Sequence, residues 1–528
     1  MTNPLVDMAK PDVIFAIGTN MTECHPVAAT GLKKALRRGA KMIVVDPRKI
    51  PLAEICDLYL PITVGSDVAL LQAMAHVILR DELVDRKFVA ERTAKSEEFF
   101  EHLRERTPQW AEKICGVPAR DIETAARWYG SAERGAIYYT LGITEHACGV
   151  DNVQSLCNLA LMTGNLGKEG AGVNPMRGQN NIQGAGDAGG VPANYPGFQS
   201  VTDPENQEKF ERLWGTRVDL DKSVTKIDAL DMALDGTLRA MIINGENTAV
   251  TDANREHCEH ALRSLDHLVV VDIFRTETAE LADVVLPATS WGETDGVCVN
   301  TERRVQRLRA AVPPIGEAKP DWWIISEIAK RCGIAGFEYE SAEQVFNELC
   351  SLSPIYRGLD WDRIDRSEFQ WPVPEVDHPG TPILHIDSFK NGRGIFMMPE
   401  YRPPAEQIND DFPVWLTTGR RLPAYHTRTQ TGRSQGLDYL LPEEFLEVHP
   451  SDVEKYGLTD GGWCRMTSPR GSVVIKVNCN TQSPPGTVFC SFSFNDVPVN
   501  LLTGSSYDPI TKTPELKVSI VNLVPVEE

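Results

Sequence analysis

The residues best suited to chemistry lie in one run, Gly172-Val-Asn-Pro-Met-Arg-Gly-Gln-Asn-Asn-Ile-Gln-Gly-Ala-Gly186. It combines glycines, which let backbone approach a ligand closely, with carboxamides that donate and accept, and a single cation, Arg177. The run has no periodic apolar face, so it predicts neither a helix nor a strand packed on a core. A polar, Gly-rich segment inside an otherwise regular chain is where binding or catalysis sits, and a solvated loop is the alternative that composition leaves open.

The elements that must position this run are those of a large globular chain. Its 528 residues suggest roughly three to four domain-sized units. A formal net charge of −21 argues against a nucleic-acid or anionic-membrane surface. It leaves room for an anionic cofactor, because Lys and Arg can gather in a cleft. No apolar stretch approaches the ~18 residues of a membrane span. The start, Met-Thr-Asn-Pro-Leu-Val-Asp, lacks a basic and then apolar leader, and a cytoplasmic location is the expectation. The 12 cysteines include no C-x-x-C pair and give no iron–sulfur or zinc spacing, so no metal-ligating residue is assigned.

The first region predicts an α/β unit. Asp12–Gly18 and Lys41–Asp46 are short apolar strands flanking an amphipathic helix over 27–38, the βαβ pattern of a sheet that binds nucleotides beyond its strands' carboxyl ends. Asp46 stands after the second strand, where a ribose- or base-binding carboxylate would stand. Gly65-Ser-Asp67 precedes a helix from Val68 to Leu79. Residues 83–132 are mostly helical, with Asp121 as a candidate cap for Ile122–Tyr129, and Ala136–Gly142 is a further strand. Strand patterns recur at 240–245, 267–274 and 282–287. Residues 351–411 are rich in Pro and Asp and read as an irregular connector. From Phe412 the runs are short and β-like, with Glu447–Leu458 as a short helix, and a small closed barrel is expected. The predicted organisation is thus two Rossmann-like, doubly wound lobes (1–176 and 177–350), a connector (351–411) and a C-terminal β-barrel cap (412–528).

In order along the chain, G-x-N-x-x-x-x-H-P, V-D-P-R, G-S-D-V-A-L-L, N-P-x-R-G-Q-N-N-x-Q-G-A, G-E-N-T, D-I-F-x-T-x-T and T-T-G-R span essentially all of it. As a set they resemble the formate dehydrogenase branch of the molybdopterin oxidoreductases. The resemblance implies two-electron oxidation of formate to carbon dioxide, or the reverse, at a molybdenum or tungsten bis(molybdopterin guanine dinucleotide) centre. It implies that Arg177 holds formate, with Gln179 ordering the site. One guanosine is expected against Gly18, Asn20, His25, Asp46, Arg48, Gly65, Asp67, Gly142 and Thr144. The other is expected against Gly245, Asn247, Asp272, Thr276 and Asp321. Thr418, Arg420, His426, Asn500 and Lys512 are expected to clamp pyrophosphates and pterins. For each, turn, capping or solvated-face chemistry is the alternative.

Departures from the family pattern are large. Its usual four-cysteine segment for a 4Fe-4S cluster, and the Cys or selenocysteine followed by histidine that ligates the metal, do not occur in this sequence. Cys24-His25 mimics the latter pair but falls among the nucleotide-contact motifs. The expectation is therefore a front segment lying upstream, behind an in-frame selenocysteine codon, or on a separate chain. Iron–sulfur or flavin subunits are the expected electron partners. A cofactor-less structural subunit and a nitrate reductase-like enzyme are the competing readings.

Overall fold

The computed structural model describes residues 1–216 and 224–526. They form two compact units, one of Met1–Met176, Val250–Glu256 and Ile383–Glu528, the other of Arg177–Ala249 and His257–Pro382.

The first unit is built on a five-stranded parallel sheet. Its order is Leu58–Leu60, Lys41–Val45, Val13–Ile17, Gly135–Tyr139, Gly172–Pro175. Val-Ile-Phe-Ala-Ile is buried at every position, as a central strand covered on both faces requires. The helices Pro26–Arg37, Asp67–Arg80, Ala119–Gly130 and Gly149–Met162 accompany the sheet. The chain winds outward from Val13–Ile17 in one direction, then returns to its other side with Gly135–Tyr139. The strand order therefore reverses between these two neighbours, the position at which such sheets bind ligands.

The loops leaving those two strands touch backbone to backbone. Gly18 has φ +54°, and a Cβ built on it would lie 2.7 Å from the carbonyl carbon of Gly142. The Thr140 hydroxyl donates to the Gly18 carbonyl at 2.7 Å. Gly18→Ala is accordingly expected to destabilise by about 2 kcal/mol or more, through overpacking and a left-handed backbone together, which urea unfolding would register.

The same unit carries a closed barrel of Val414–Gly419, Thr487–Ser491, Phe445–Val448, Ser472–Cys479, Trp463–Thr467 and Ser519–Val526. Inward residues alternate along Ser472–Cys479, and Leu416, Leu446, Cys464, Ile475 and Val488 fill the interior.

The second unit contains a smaller parallel sheet, Val284–Pro287, His267–Asp272, Ala240–Asn244. It also holds an antiparallel hairpin, Gly296–Val299 with Arg304–Leu308, extended by Phe369–Gln370. No helix among the described residues is long and apolar enough to cross a membrane.

Several local expectations are corrected. The Gly-rich run is not wholly irregular: Gly172–Pro175 is an edge strand, and Ile182–Asp187 is a short helix. The strand forms because the Ala136–Tyr139 edge offers it a ladder, and Pro175 sits where its missing N–H is harmless. The helix contains two glycines and is held by side-chain bonds rather than an apolar stripe, which is why periodicity misses it. Asp121 lies inside the first turn of Ala119–Gly130, which begins after Pro118. Within 447–458, strand Phe445–Val448 ends before a helix, Pro450–Lys455, whose first turn is capped by His449. The stretch 351–411 includes helix Trp361–Arg366 and the two strand segments Phe369–Gln370 and Gly394–Ile395.

Candidate functional site

In the first unit, the carboxyl end of the large sheet gathers buried charge. Asp46, directly after the second strand, is 9% exposed and accepts from the Arg48 amide at 2.9 Å. Asp67, the first residue of helix Asp67–Arg80, is 5% exposed. Burial pushes the Asp46 carboxyl up to about 6 and that of Asp67 up to about 7, the second raised further by the field of the first. His146 Nε2 stands 4.0 Å from Asp67 and 2.9 Å from the Gly142 carbonyl, and burial pushes this imidazole down to about 4. Lys517, on the barrel side, pairs with Glu145 at 2.7 Å and donates to the Thr418 carbonyl at 3.0 Å. The fields of Lys517 and Arg48 reach both Asp46 and Cys24, and that of Arg420 reaches Cys24.

These shifts have a stability consequence whose sign is fixed. A carboxyl raised on folding contributes stability that is present when protonated and lost as pH rises through its folded value, here between about pH 4 and about pH 7. His146, depressed on folding, acts oppositely between about pH 4 and 6.5. With two carboxyls against one imidazole, the thermal midpoint is expected to fall from about pH 5 to about pH 8. Asp67→Asn should remove the larger part of that slope, and scanning calorimetry across the range checks it.

Other residues singled out in this unit are placed as follows. Arg48 is turned to the barrel, where its guanidinium forks onto Glu447 at 2.8–3.2 Å and lies 3.4 Å from the Phe489 ring centroid. Glu447 also accepts from Arg421 at 2.8 Å, and Arg421 donates to Glu444 at 2.8 Å. Asn500 is a strap, its amide donating to the carbonyls of Val250 and Thr251 at 2.9 and 3.0 Å. Thr418 spends its hydroxyl on the Leu516 carbonyl at 2.7 Å. Gly65, at φ +75°, packs against the Pro404 ring, and Gly142 packs against Gly18. Gly18, Gly65, Gly142, Arg48, Asn500 and Thr418 thus each have protein contacts of their own. Asn20 opens the short helix Met21–Cys24 and accepts from Thr22 at 3.1 Å, with His25 at its end. Thr144 closes the one-turn helix Leu141–Thr144. His426 (φ +51°) and Arg420 both face the Phe492 ring, at 5.4 and 5.8 Å. Lys512 (φ +57°) lies 4.5 Å from the Tyr507 ring.

In the second unit, the small sheet ends in a comparable arrangement. Gly245, at φ +66°, follows Ala240–Asn244 with open space where a Cβ would be. Asp272 ends the middle strand and accepts from the amides of Ile273 and Phe274 at 2.7 and 3.4 Å. Asp321 begins helix Asp321–Arg331, and burial raises both carboxyls, that of Asp321 with help from Asp272. Asn247 donates to Glu277 at 2.7 Å and accepts from the Thr278 amide and hydroxyl, latching two loops together. Thr276 caps the turn at Ala279 at 3.2 Å.

Arg177 and Gln179 are half-buried in the second unit. Their loop is fastened to the Gly296–Leu308 hairpin at three points. The Arg177 amide donates to Thr301 at 3.1 Å, the Cys298 thiol to the Asn180 carbonyl at 3.0 Å, and the Val299 amide to the Asn181 side chain at 2.9 Å. The backbone that carries Arg177 is thereby fixed to the hairpin.

Within each unit, buried polar groups are left over that suit a phosphorylated, hydrogen-bonding ligand. Buried carboxylates at Asp46 and Asp67 call for N–H donors such as a purine edge provides. Arg420 Nε, Thr19 Oγ1 and Thr289 Oγ1 are buried and find no hydrogen-bond partner among the described residues. Lys517, Glu447 and Arg421 of the first unit, and Asp187 with Tyr356 of the second, escape sequence reasoning. Each is paired with a residue distant along the chain, so no local spacing announces it.

Residues 1–331 match the model described as molybdopterin oxidoreductase, and residues 414–520 the one described as Molydopterin dinucleotide binding domain. The F420-dependent formate dehydrogenase subunit alpha of Methanocaldococcus jannaschii is 43% identical over 99% of this chain and 78% of its own length. Formate dehydrogenase H of Escherichia coli is 37% identical over 100% of this chain and 75% of its own. Among solved structures, acetylene hydratase from Pelobacter acetylenicus superposes with TM-score 0.78 over 98% of this chain and 78% of that one, at 21% identity, a likeness of fold.

Proposed function

The chain belongs to the molybdopterin oxidoreductase family, and from that premise we propose that it interconverts formate and carbon dioxide as the catalytic part of a formate dehydrogenase. The observation that carries the reading is Arg177, kept within an intact N-P-x-R-G-Q-N-N-x-Q-G-A run and tied to a rigid hairpin. A bound molybdenum or tungsten bis(molybdopterin guanine dinucleotide) supplies the acceptor for the two electrons lost by formate. Asp46, Asp67, Arg420 and Lys517 would hold one dinucleotide half, and Gly245, Asp272 and Asp321 the other. Arg177 pairs with the formate carboxylate through two N–H bonds, fixing its orientation and offsetting its charge. Gln179 shares that loop and orders the anion beside Arg177. Partner subunits carrying iron–sulfur or flavin groups would accept the electrons onward.

The test is formate-dependent reduction of a viologen dye by the holoprotein, with molybdenum and tungsten measured by mass spectrometry. Dye reduction by formate is expected. Dye oxidation by nitrate in its place would transfer the chain to the nitrate-reducing branch. Absence of both metals with both activities absent would leave the cofactor-less scaffold.

A further inference from the structure

The turn of the Gly296–Leu308 hairpin, residues 300–303, is built at a higher cost than joining two strands requires. Arg303 holds φ +69°, a left-handed backbone that residues other than glycine adopt under strain. Its side chain is buried, and the guanidinium donates to the carbonyls of Trp371, Thr381 and Pro382, the last two at 2.9 and 2.7 Å. The Arg303 carbonyl accepts in turn from the Trp371 amide at 3.0 Å. Glu302 is also buried; its carboxylate accepts from Arg304 at 2.8 Å and its carbonyl from the Gln370 side chain at 3.0 Å. The Asn300 side chain closes the turn, accepting from the Glu302 and Arg304 amides at 3.1 Å each. Asn300, Glu302 and Arg303 thus clamp the turn to itself and to the segment 370–382. Thr301, between them, reaches the Gly-rich run instead, where its hydroxyl oxygen accepts from the Arg177 amide at 3.1 Å. Strain and buried charge that the surroundings over-determine are a mark of a functional position.

We propose that Thr301 is a positioning residue for Arg177, and that the clamped turn serves to hold its hydroxyl oxygen in place. The inference rests on the formate reading of Arg177. An arginine side chain is long and samples many positions, whereas an anion held through two parallel N–H bonds needs a narrow set of them. Fixing the backbone from which the side chain springs removes one source of that freedom. The Thr301 bond acts on Arg177 itself, while the Cys298 and Val299 bonds act further along, at Asn180 and Asn181. From Thr301 the chain reaches the buried Arg303 within two residues, so the anion-binding group is referred to an anchored point of the fold. Without the hydroxyl oxygen, the Arg177 amide loses this acceptor, and a misplacement of about 1 Å at a reacting group can cost as much as about 10²-fold in rate.

The experiment is a double-mutant cycle between Thr301→Val and Arg177→Ala in the holoprotein at matched metal content. It is read as kcat/KM for formate and, by calorimetric titration, as affinity for azide, a three-atom monoanion of formate's size. Valine keeps the shape of threonine and removes the oxygen. With Arg177 present, Thr301→Val is expected to lower kcat/KM and to weaken azide binding about ten-fold. Thr301→Ser, which keeps the oxygen, should return both to within about two-fold of wild type. In the Arg177→Ala background, Thr301→Val should change kcat/KM by less than about two-fold, because the group it positions is gone. A residue that only stabilised the fold would act alike in both backgrounds. Equal losses in the two backgrounds, no loss in either, or failure of serine to rescue would overturn the proposal, as would a wild type that neither binds azide nor oxidises formate. Azide binding weakened by Thr301→Val and rescued by Thr301→Ser, in a protein that does not oxidise formate, would instead overturn the formate reading and leave the Thr301 assignment standing.

Discussion

Arg177→Ala is expected to lower kcat/KM for formate by about 10²–10³-fold, the loss seen when one preorganised donor to a reacting anion is removed. Arg177 is the single cation of its run, and its loop is already fixed by the bonds to Thr301, Cys298 and Val299. Removing the side chain therefore takes away charge and orientation without releasing the loop. Arg177→Lys keeps the charge but not the planar fork, and should recover only part of the loss. Gln179→Ala, which removes a neutral partner, should cost about ten-fold or less. The check is steady-state formate oxidation at matched metal content, so that loading is separated from chemistry. Full activity in Arg177→Ala would remove the guanidinium from the reaction.

Glu447→Ala is expected to destabilise the first unit by about 3–5 kcal/mol, because it leaves two buried guanidiniums without their shared carboxylate. Glu447 is 2% exposed, and it accepts from both Arg48 and Arg421, whose side chains are 10% and 9% exposed. Arg421 is fixed further by Glu444 and by stacking 3.6 Å from the Phe445 ring centroid. The network joins the strand-end loop at residue 48 to the barrel, so its loss should weaken that junction as well as the barrel. Replacing Arg48 by methionine in the Glu447→Ala background should restore part of the loss, since Arg421 keeps its bond to Glu444 and no buried guanidinium is then left unpaired. Thermal unfolding of the single and double variants makes the comparison. A double variant no more stable than Glu447→Ala would show that packing, not stranded charge, dominates there.

The Arg48 network shows how residues of one short motif can be placed by partners far apart in the chain. V-D-P-R marks the carboxyl end of a strand, and the structure puts Asp46 there, buried. Its neighbour two residues on is drawn away by Glu447, 399 positions later in the chain. Asn500 behaves alike, its amide taken by the carbonyls of Val250 and Thr251. Gly18 and Gly142 are required by each other, a pairing that needs both loops in view.

Features governed by short-range physics were legible in the chain. A continuous apolar run such as Val13–Ile17 suits a buried parallel strand, and the period-two pattern of Ser472–Cys479 suits a sheet with one face inward. The ordered motifs pointed to the family, because glycine, carboxamide and cation must recur at set spacings to hold the same ligand. Features that depend on a distant partner became visible only on packing. Strand Gly172–Pro175 exists because a neighbouring edge accepts it, although its own residues have little preference for one. Helix Ile182–Asp187 is held by Gln183, Tyr356 and the hairpin rather than by an apolar face. The charge states of Asp46, Asp67 and Asp187 are set by burial, a property of the packed fold that no local spacing carries.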